Sequence, residues 1–205
     1  MPLQLTREDF MTPEQVRRLK GVLRQAAQEA LKTGKKGPVR DWAIIHVALD
    51  AGLRVSEIVS LRVGDLILDP GHSAIIVRQG KGGKKRGVDI GSPLRDHLLQ
   101  YLEWKQAVGE PTSPEALLFP SPRGGPLTRQ AVYQAFKRYA RLAGLPERFT
   151  IHSCRHTYAS MLYKASRYNL RLVQKQLGHS SIRTTQVYAD VLSQDALEAV
   201  EGLPQ

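Results

Sequence analysis

Cysteine is almost absent from this sequence, since Cys154 is the single cysteine among 205 residues. One thiol excludes an internal disulfide and any zinc site built from several cysteines. No apolar run approaches the ~20 residues of a membrane-spanning helix, and the opening MPLQLTREDF lacks the apolar core of a signal peptide. These absences predict a cytoplasmic protein with no membrane partner.

Acidic residues are also scarce: 19 Asp and Glu stand against 30 Lys and Arg, a formal net charge of +11. Such an excess favours a polyanionic partner, most often nucleic acid, although a ribosome-associated or merely basic protein would share it. Aromatic residues make up only 6% and form no stacking pattern. Because single-strand binding depends on base stacking, double-stranded DNA is the expected partner.

Helical patterns open the chain. The letters TPEQ at residues 12–15 are typical of a helix start, and a second helix is expected from about Val39, after the break TGKKGP. His46 lies beside the apolar stripe of that helix and is interpreted as a structural histidine. A short helix, VSEIVSLRV, follows Gly52.

The pattern changes at Asp65 to three short β-branched segments, DLILD, AIIVR and RGVDI, separated by turn signals. Their spacing predicts a three-stranded antiparallel meander. Further helices are expected from Ser92 and from Thr128, the latter with Leu142 in its apolar stripe and Gly144 at its end. The expected fold class is therefore α+β, mainly helical with a small three-stranded antiparallel sheet.

Four chemically versatile residues lie between positions 150 and 190. His152 and Arg155 are three apart at the start of a predicted helix, so their side chains can share a face. His179 follows the helix-ending Gly178 directly, and Tyr188 comes nine residues later. The tail after Tyr188 is expected to form one short amphipathic helix that must pack on its own subunit or on a neighbour.

Two cations far upstream complete a candidate site: Arg54 in GLRVSEI, at a helix junction, and Lys81 in the glycine-rich turn GKGGKK. Together the six residue types suit transfer of a DNA phosphoryl group to a tyrosine. The arginine forks would bind the phosphate oxygens, Tyr188 would attack, and His152 is the expected base.

The remaining roles follow from the same chemistry. Lys81 would protonate the leaving sugar oxygen, and His179 would donate a hydrogen bond to the phosphate. With this many cations, no metal ion or other cofactor is expected.

Other readings of these residues are weaker or remain open. A zinc or thiolate site at His152, Cys154 and His156 is disfavoured, because residues two apart on a helix point about 200° from one another. A serine hydrolase would need a GxSxG motif, which is missing. A helix-turn-helix module that binds DNA without catalysis remains the main rival.

Further cations are candidates for DNA contact, or alternatively form solvated surfaces. The glycine-rich turn contributes Lys84, Lys85 and Arg86. The outer side of the helix after Thr128 contributes Arg129, Lys137, Arg138 and Arg141.

Five motifs in order, GLRVSEIVSL, GKGGKK, LFPSPRGGPLT, HSCRHTYAS and LGHSSIRTTQVYA, resemble the catalytic domain of tyrosine recombinases, the phage integrase family. The family pattern of Arg, Lys, His-x-x-Arg, His and Tyr is matched by the six residues above. The resemblance implies a 3′-phosphotyrosyl intermediate, a free 5′-hydroxyl and a synapse of four subunits. It also implies that Glu57 supports the site. A type IB topoisomerase, which uses a similar constellation, is the alternative within this chemistry.

The resemblance also suggests a domain plan. Residues 1–11 would be a tether and 12–205 the catalytic domain, with 193–205 as a helix that docks on a neighbouring subunit. Family members usually carry a separate helical DNA-clamping domain before the catalytic one, and residues 1–11 are too short for it. The chain is then expected to be either an excised catalytic domain or a minimal recombinase.

Dominance of phosphate contacts predicts that duplex binding weakens steeply with salt. The logarithm of the binding constant should fall with the logarithm of salt concentration, with a slope of about −0.9 for each phosphate neutralised. Fluorescence anisotropy on a labelled duplex between low and physiological salt measures this slope. A slope near zero would contradict an electrostatic interface with DNA.

Overall fold

The computed structural model describes residues 5–78, 85–179 and 181–192. The eight α-helices of this described part, numbered in chain order, are α1 Pro13–Thr33, α2 Lys36–Asp50, α3 Val55–Val59, α4 Ser92–Ala107, α5 Arg129–Leu142, α6 Ile151–Ala165, α7 Leu170–Leu177 and α8 Arg183–Leu192. The three strands are β1 Leu66–Asp69, β2 His72–Val77 and β3 Arg86–Asp89. None of the described helices is long and apolar enough to cross a membrane.

The first two helices begin where side-chain chemistry allows them to. Thr12 and Gln15 form a capping box at the start of α1, and Gly34 ends that helix with a left-handed φ of 70°. The expected start of α2 near Val39 is wrong, because the helix already begins at Lys36. Pro38 then lies in the first turn, where the missing N–H breaks no intrahelical hydrogen bond.

The small sheet is an antiparallel meander in the order β1-β2-β3, as the three β-branched segments predict. Leu66 of β1 pairs with Ile75 of β2, and Ile75 pairs in turn with Val88 of β3. Ile75 and Val88 are fully buried, so one face of the sheet packs on the helical core. The predicted mainly helical α+β fold with a three-stranded sheet is confirmed.

Two apolar clusters hold the described helices together. The larger one surrounds α2, and a smaller one joins α6, α7 and α8 through Ala159, Val173, Leu177 and Tyr188. The expected core position of Leu142 is wrong, since this side chain is 66% exposed. A step of three residues falls about 60° short of a full helical turn, so Leu142 lies beside the buried stripe. The stripe continues instead into Ala143, directly after α5.

Three stacked rings line a cavity of about 500 Å³ between α1, α2 and α4. His46 and His97 face one another with 2.8 Å between their Nδ1 atoms, and Trp42 stacks on both rings at centroid distances of 4.4 and 4.7 Å. Asp50 and His46 Nε2 lie 3.1 Å apart. Burial lowers the pKa of His46, and burial together with His46 lowers that of His97 to about 3. Both rings are therefore neutral parts of the fold at neutral pH.

Acid should destabilise the fold through this histidine pair. Because the folded-state pKa of His97 lies below its ordinary value of 6.5, the unfolded chain binds the proton more tightly, and stability is lost as pH falls below about 6.5. His97→Gln should reduce the difference in unfolding free energy between pH 7 and pH 5 by about 1 to 2 kcal/mol. Urea unfolding at both pH values measures it. His72→Gln, at an exposed position on β2, is the matched control, and identical pH dependence in both variants would contradict the prediction.

Candidate active site

The start of α6 presents two of the expected site residues in different environments. Thr150 caps the helix by accepting a hydrogen bond from the backbone N–H of His152. The side chain of His152 is exposed, whereas Arg155, one turn later, is only 6% exposed. The helix therefore holds one residue at the surface and directs the other inward.

The Arg155 guanidinium is held by backbone carbonyls rather than by a carboxylate. Its Nη1 donates to the carbonyl of Gly52 at 2.6 Å, and its Nη2 donates to that of Leu177 at 2.8 Å. These carbonyls lie at the C-terminal ends of α2 and α7, where the helix dipole is negative. Burial and the neighbouring Arg54 lower the pKa of Arg155 to about 10, so the side chain stays charged at neutral pH.

Glu57 on α3 organises two further arginines. Arg54 donates to it at 3.0 Å from its side chain and at 2.8 Å from its backbone N–H. Arg86 on β3 forms a bidentate pair with the same carboxylate at 2.9 and 3.0 Å. Burial would raise the pKa of Glu57, but these hydrogen bonds and charges hold it below its ordinary value. Two guanidiniums thus share one carboxylate, and Arg155 adds a third positive charge, which leaves a surplus of positive charge among the described residues of the site.

His179 follows the left-handed Gly178 that ends α7. Its Nδ1 lies 2.9 Å from the hydroxyl of Thr185, which is fully buried at the start of α8. This contact fixes the ring and leaves Nε2 as its second polar atom. Burial, followed by Arg155 and Arg54, lowers the pKa of His179 to about 3, so the ring is neutral.

Tyr188 lies within α8, and most of the tail in which a further helix is expected lies outside the described residues. Its ring is 3% exposed and packs edge-on against Phe10, with 6.2 Å between centroids. Its hydroxyl lies 3.1 Å from Nδ1 of His156. Burial raises the pKa of Tyr188, although Arg155 and Arg54 act in the opposite direction. The phenol therefore carries its proton.

One cavity of about 360 Å³ connects these side chains. Arg54, Arg155, His179 and Tyr188, all four expected from the sequence, line it together with His156. His152 is not among its lining residues. Lys81 lies outside the described residues, as do Lys84 and the segment 193–205.

The expected DNA-contact residues occupy varied positions. Lys85, Arg129 and Arg141 are exposed. Arg138 pairs with Asp41 at 2.5 Å, and the ammonium of Lys137 donates to the backbone carbonyl of Glu147. Arg86, as described above, is paired with Glu57 inside the site.

The described residues contain no group of three or more His, Cys, Asp or Glu side chains that could hold a metal ion. Cys154 is fully buried, and burial raises the pKa of its thiol. It belongs to the packing of α6 rather than to the cavity.

The order and geometry of these residues agree with comparison to known proteins. The model of the phage integrase family matches residues 9–195. The chain belongs to the phage integrase family. The resemblance of the five motifs to this family is therefore confirmed.

Named relatives support the same family. Tyrosine recombinase XerD of Oceanobacillus iheyensis is 36% identical over 184 residues, which are 88% of this chain and 61% of that protein. Tyrosine recombinase XerA of Pyrococcus furiosus is 31% identical over 185 residues, 89% of this chain and 61% of that protein. The chain thus spans about three fifths of the length of these two relatives.

Solved structures of family members share the fold. The XerH site-specific recombinase, in a post-cleavage complex with palindromic difH substrate, is similar with a TM-score of 0.77 and 26% identity, covering 94% of this chain and 52% of that one. The XerA recombinase gives a TM-score of 0.74 and 25% identity, covering 96% and 66%.

Three contacts in this phage integrase family site were not expected from the sequence. His156 lies within hydrogen-bond distance of the Tyr188 hydroxyl, whereas the sequence suggests it only as a member of a disfavoured site with Cys154. Thr185 carried one available signal, its spacing of three residues from Tyr188 on the same helix face. The pairing of Arg86 with Glu57 spans 29 residues and had no local signal.

Gly178 should be more sensitive to substitution than Gly34, another left-handed glycine at a helix end. A Cβ there would lie 2.5 Å from Cδ and Nε of Arg86, which its bidentate pair with Glu57 holds in place. At Gly34, where φ is +70°, an added Cβ meets nothing within 4 Å. Gly34→Ala should cost about 1 kcal/mol of unfolding free energy for backbone strain alone, and Gly178→Ala about 1 to 3 kcal/mol more.

A double-mutant cycle in urea unfolding checks this cause. In an Arg86→Ala background, Gly178→Ala should cost no more than Gly34→Ala does. An unchanged excess cost in that background would contradict a clash with Arg86.

Proposed function

We propose that this chain is the catalytic domain of a site-specific tyrosine recombinase. Tyr188 attacks a phosphodiester of double-stranded DNA, which leaves a 3′-phosphotyrosyl link and a free 5′-hydroxyl, and the reverse reaction joins the strands again. The observation that carries the proposal is the shared cavity, where Tyr188 meets the expected Arg54, Arg155 and His179. The phosphotyrosyl link retains the energy of the broken bond, so rejoining requires no ATP.

The cations of the cavity would stabilise the charge that develops on the phosphate. Arg155 has no carboxylate partner in the described part of the chain, and Arg54 shares Glu57 with Arg86. Charge-assisted hydrogen bonds from such forks are strongest where water is excluded. If Nδ1 of His179 accepts a hydrogen bond from the hydroxyl of Thr185, then Nε2 carries the ring proton and can donate a hydrogen bond to a phosphate oxygen.

Two more residues would complete the reaction. Lys81, by its place in the glycine-rich turn, is proposed as the acid that protonates the leaving 5′-oxygen. His152 stands exposed at the N-terminus of α6, where free backbone N–H groups also favour an anion. The phosphate would therefore approach from this open side.

The wider assembly is proposed from the family. The XerH structures are complexes with difH substrate before and after cleavage, which supports duplex DNA as the partner here. We propose that four copies act together on DNA in the cytoplasm and that residues 193–205 dock on a neighbouring copy. Residues 12–205 would form the catalytic domain, and the tether 1–11 would precede it, with Phe10 packed against Tyr188.

The proposal predicts a covalent protein–DNA adduct that depends on Tyr188. Genomic DNA fragments incubated with the wild type and denatured in SDS should retain bound protein, and sequencing the trapped fragments should identify the cleavage site. Tyr188→Phe should form no adduct, because a phenyl ring has no nucleophile. Tyr168→Phe, at a side chain that is 59% exposed, is the matched control and should behave as the wild type does.

Three outcomes would overturn this reading. If the wild type forms no adduct, the chain binds DNA without cleaving it. If Tyr188→Phe retains the adduct, another residue is the nucleophile. Relaxation of a supercoiled plasmid that lacks the trapped site, without site-dependent exchange, would instead identify a topoisomerase.

A further inference from the structure

We propose that His156, rather than His152, accepts the proton of Tyr188 during strand cleavage. This inference rests on the proposed function and assigns the base within the same site. It makes His156 a catalytic residue, since its ring touches the reacting oxygen.

The geometry places one imidazole on the nucleophile. Nδ1 of His156 lies 3.1 Å from the Tyr188 hydroxyl, and the two ring centroids are 6.0 Å apart. This is within the hydrogen-bond reach that a general base needs for the proton it removes. Both residues line the cavity that holds Arg54 and Arg155.

His152 has a different position. It precedes His156 by one helical turn, its side chain is exposed, and it makes no side-chain hydrogen bond within the described part of the chain. The cavity lining includes His156 and does not include His152. His152 is therefore available to an incoming phosphate, whereas the contact with Tyr188 belongs to His156.

The protonation states suit a transfer from Tyr188 to His156. Burial, then Arg155 and His152, lowers the pKa of His156 to about 4, so at neutral pH its ring is uncharged and can accept. Tyr188 retains its proton because burial raises its pKa. The charged and titratable groups that share the cavity or act on this histidine are Asp9, Arg54, His152, Arg155, His179 and Arg183.

Binding of DNA would strengthen this base. The phosphate brings a negative charge next to Arg155, which offsets part of the positive field that disfavours a protonated His156. As the oxygen of Tyr188 bonds to phosphorus, the proton on that oxygen becomes strongly acidic. A weak base at hydrogen-bond distance can then remove that proton in the transition state.

The step balances in atoms and charge. The Tyr188 oxygen forms a bond to phosphorus, the bond from phosphorus to the 5′-oxygen breaks, and the phosphodiester keeps one negative charge. The phenolic proton moves to Nδ1 of His156. The leaving 5′-oxygen takes a proton from Lys81, the acid proposed above. In the rejoining step, the 5′-hydroxyl attacks phosphorus and returns its proton to Lys81, while the leaving Tyr188 oxygen takes the proton back from His156.

Single-turnover cleavage of a nicked duplex that carries the trapped site tests the assignment. His156→Gln preserves a hydrogen-bond acceptor but cannot take up the proton, so the rate of adduct formation at neutral pH should fall by about 100-fold or more. Its rate should then rise about tenfold per pH unit where the wild type is flat, because hydroxide must replace the base. Added imidazole should restore part of the rate in His156→Ala. His72→Gln should leave the rate unchanged.

A second measurement does not depend on folding of the variants. In ¹⁵N-histidine NMR spectra of the wild type, Nδ1 of His156 should show the shift of an unprotonated acceptor, and the signal should move in Tyr188→Phe. A protonated Nδ1 would mean that His156 donates to Tyr188 and cannot act as its base.

The outcomes separate this proposal from the one on which it rests. Without a wild-type adduct, both fail. If the wild type and His156→Gln form the adduct at the same rate and with the same pH profile, only the assignment of His156 fails. Loss of the rate in His152→Gln, with recovery by imidazole in His152→Ala but not in His156→Ala, would assign the base to His152.

Discussion

Burial of the Arg155 guanidinium is the constraint on which the rest of the site depends. Burying an ion is costly unless polar groups compensate it, and here the carbonyls of Gly52 and Leu177 do so. Because these carbonyls end α2 and α7, one side chain on α6 fixes three helices relative to one another. Carbonyl dipoles compensate the buried ion without neutralising it, so the same contact that stabilises the fold leaves a positive charge in the cavity.

Glu57 extends this arrangement to the sheet. A single carboxylate orders Arg54 at the start of α3 and Arg86 at the start of β3. Arg86 in turn lies against Gly178, whose φ of 65° sets the direction in which the chain continues to His179. The starts of α3 and β3 are thus coupled through buried polar contacts, which are specific in geometry where apolar packing is not, and the Arg86 side chain links them to the end of α7.

Tyr188 is held by a different kind of contact. Its ring lies in the small apolar cluster of α6, α7 and α8, with Phe10 against its edge. The His179 ring stacks on it at 6.4 Å between centroids, and its hydroxyl contacts His156. The same burial that keeps the phenol protonated also keeps the imidazole neutral.

Local chemistry determined the helices and strands of this protein. Tertiary structure decided which side chains contact one another in the site. The capping box of Thr12, the break at Gly178 and the alternation of the strands act between residues close in sequence, so the sequence alone predicted the fold class and the residue types that reach the cavity. The contact of Arg155 with Gly52 spans 103 residues and that of His156 with Tyr188 spans 32. No periodicity encodes such distances, because they depend on how whole helices pack. Which histidine contacts Tyr188, and which arginine is held by carbonyls rather than by a carboxylate, were therefore decided only by the folded structure.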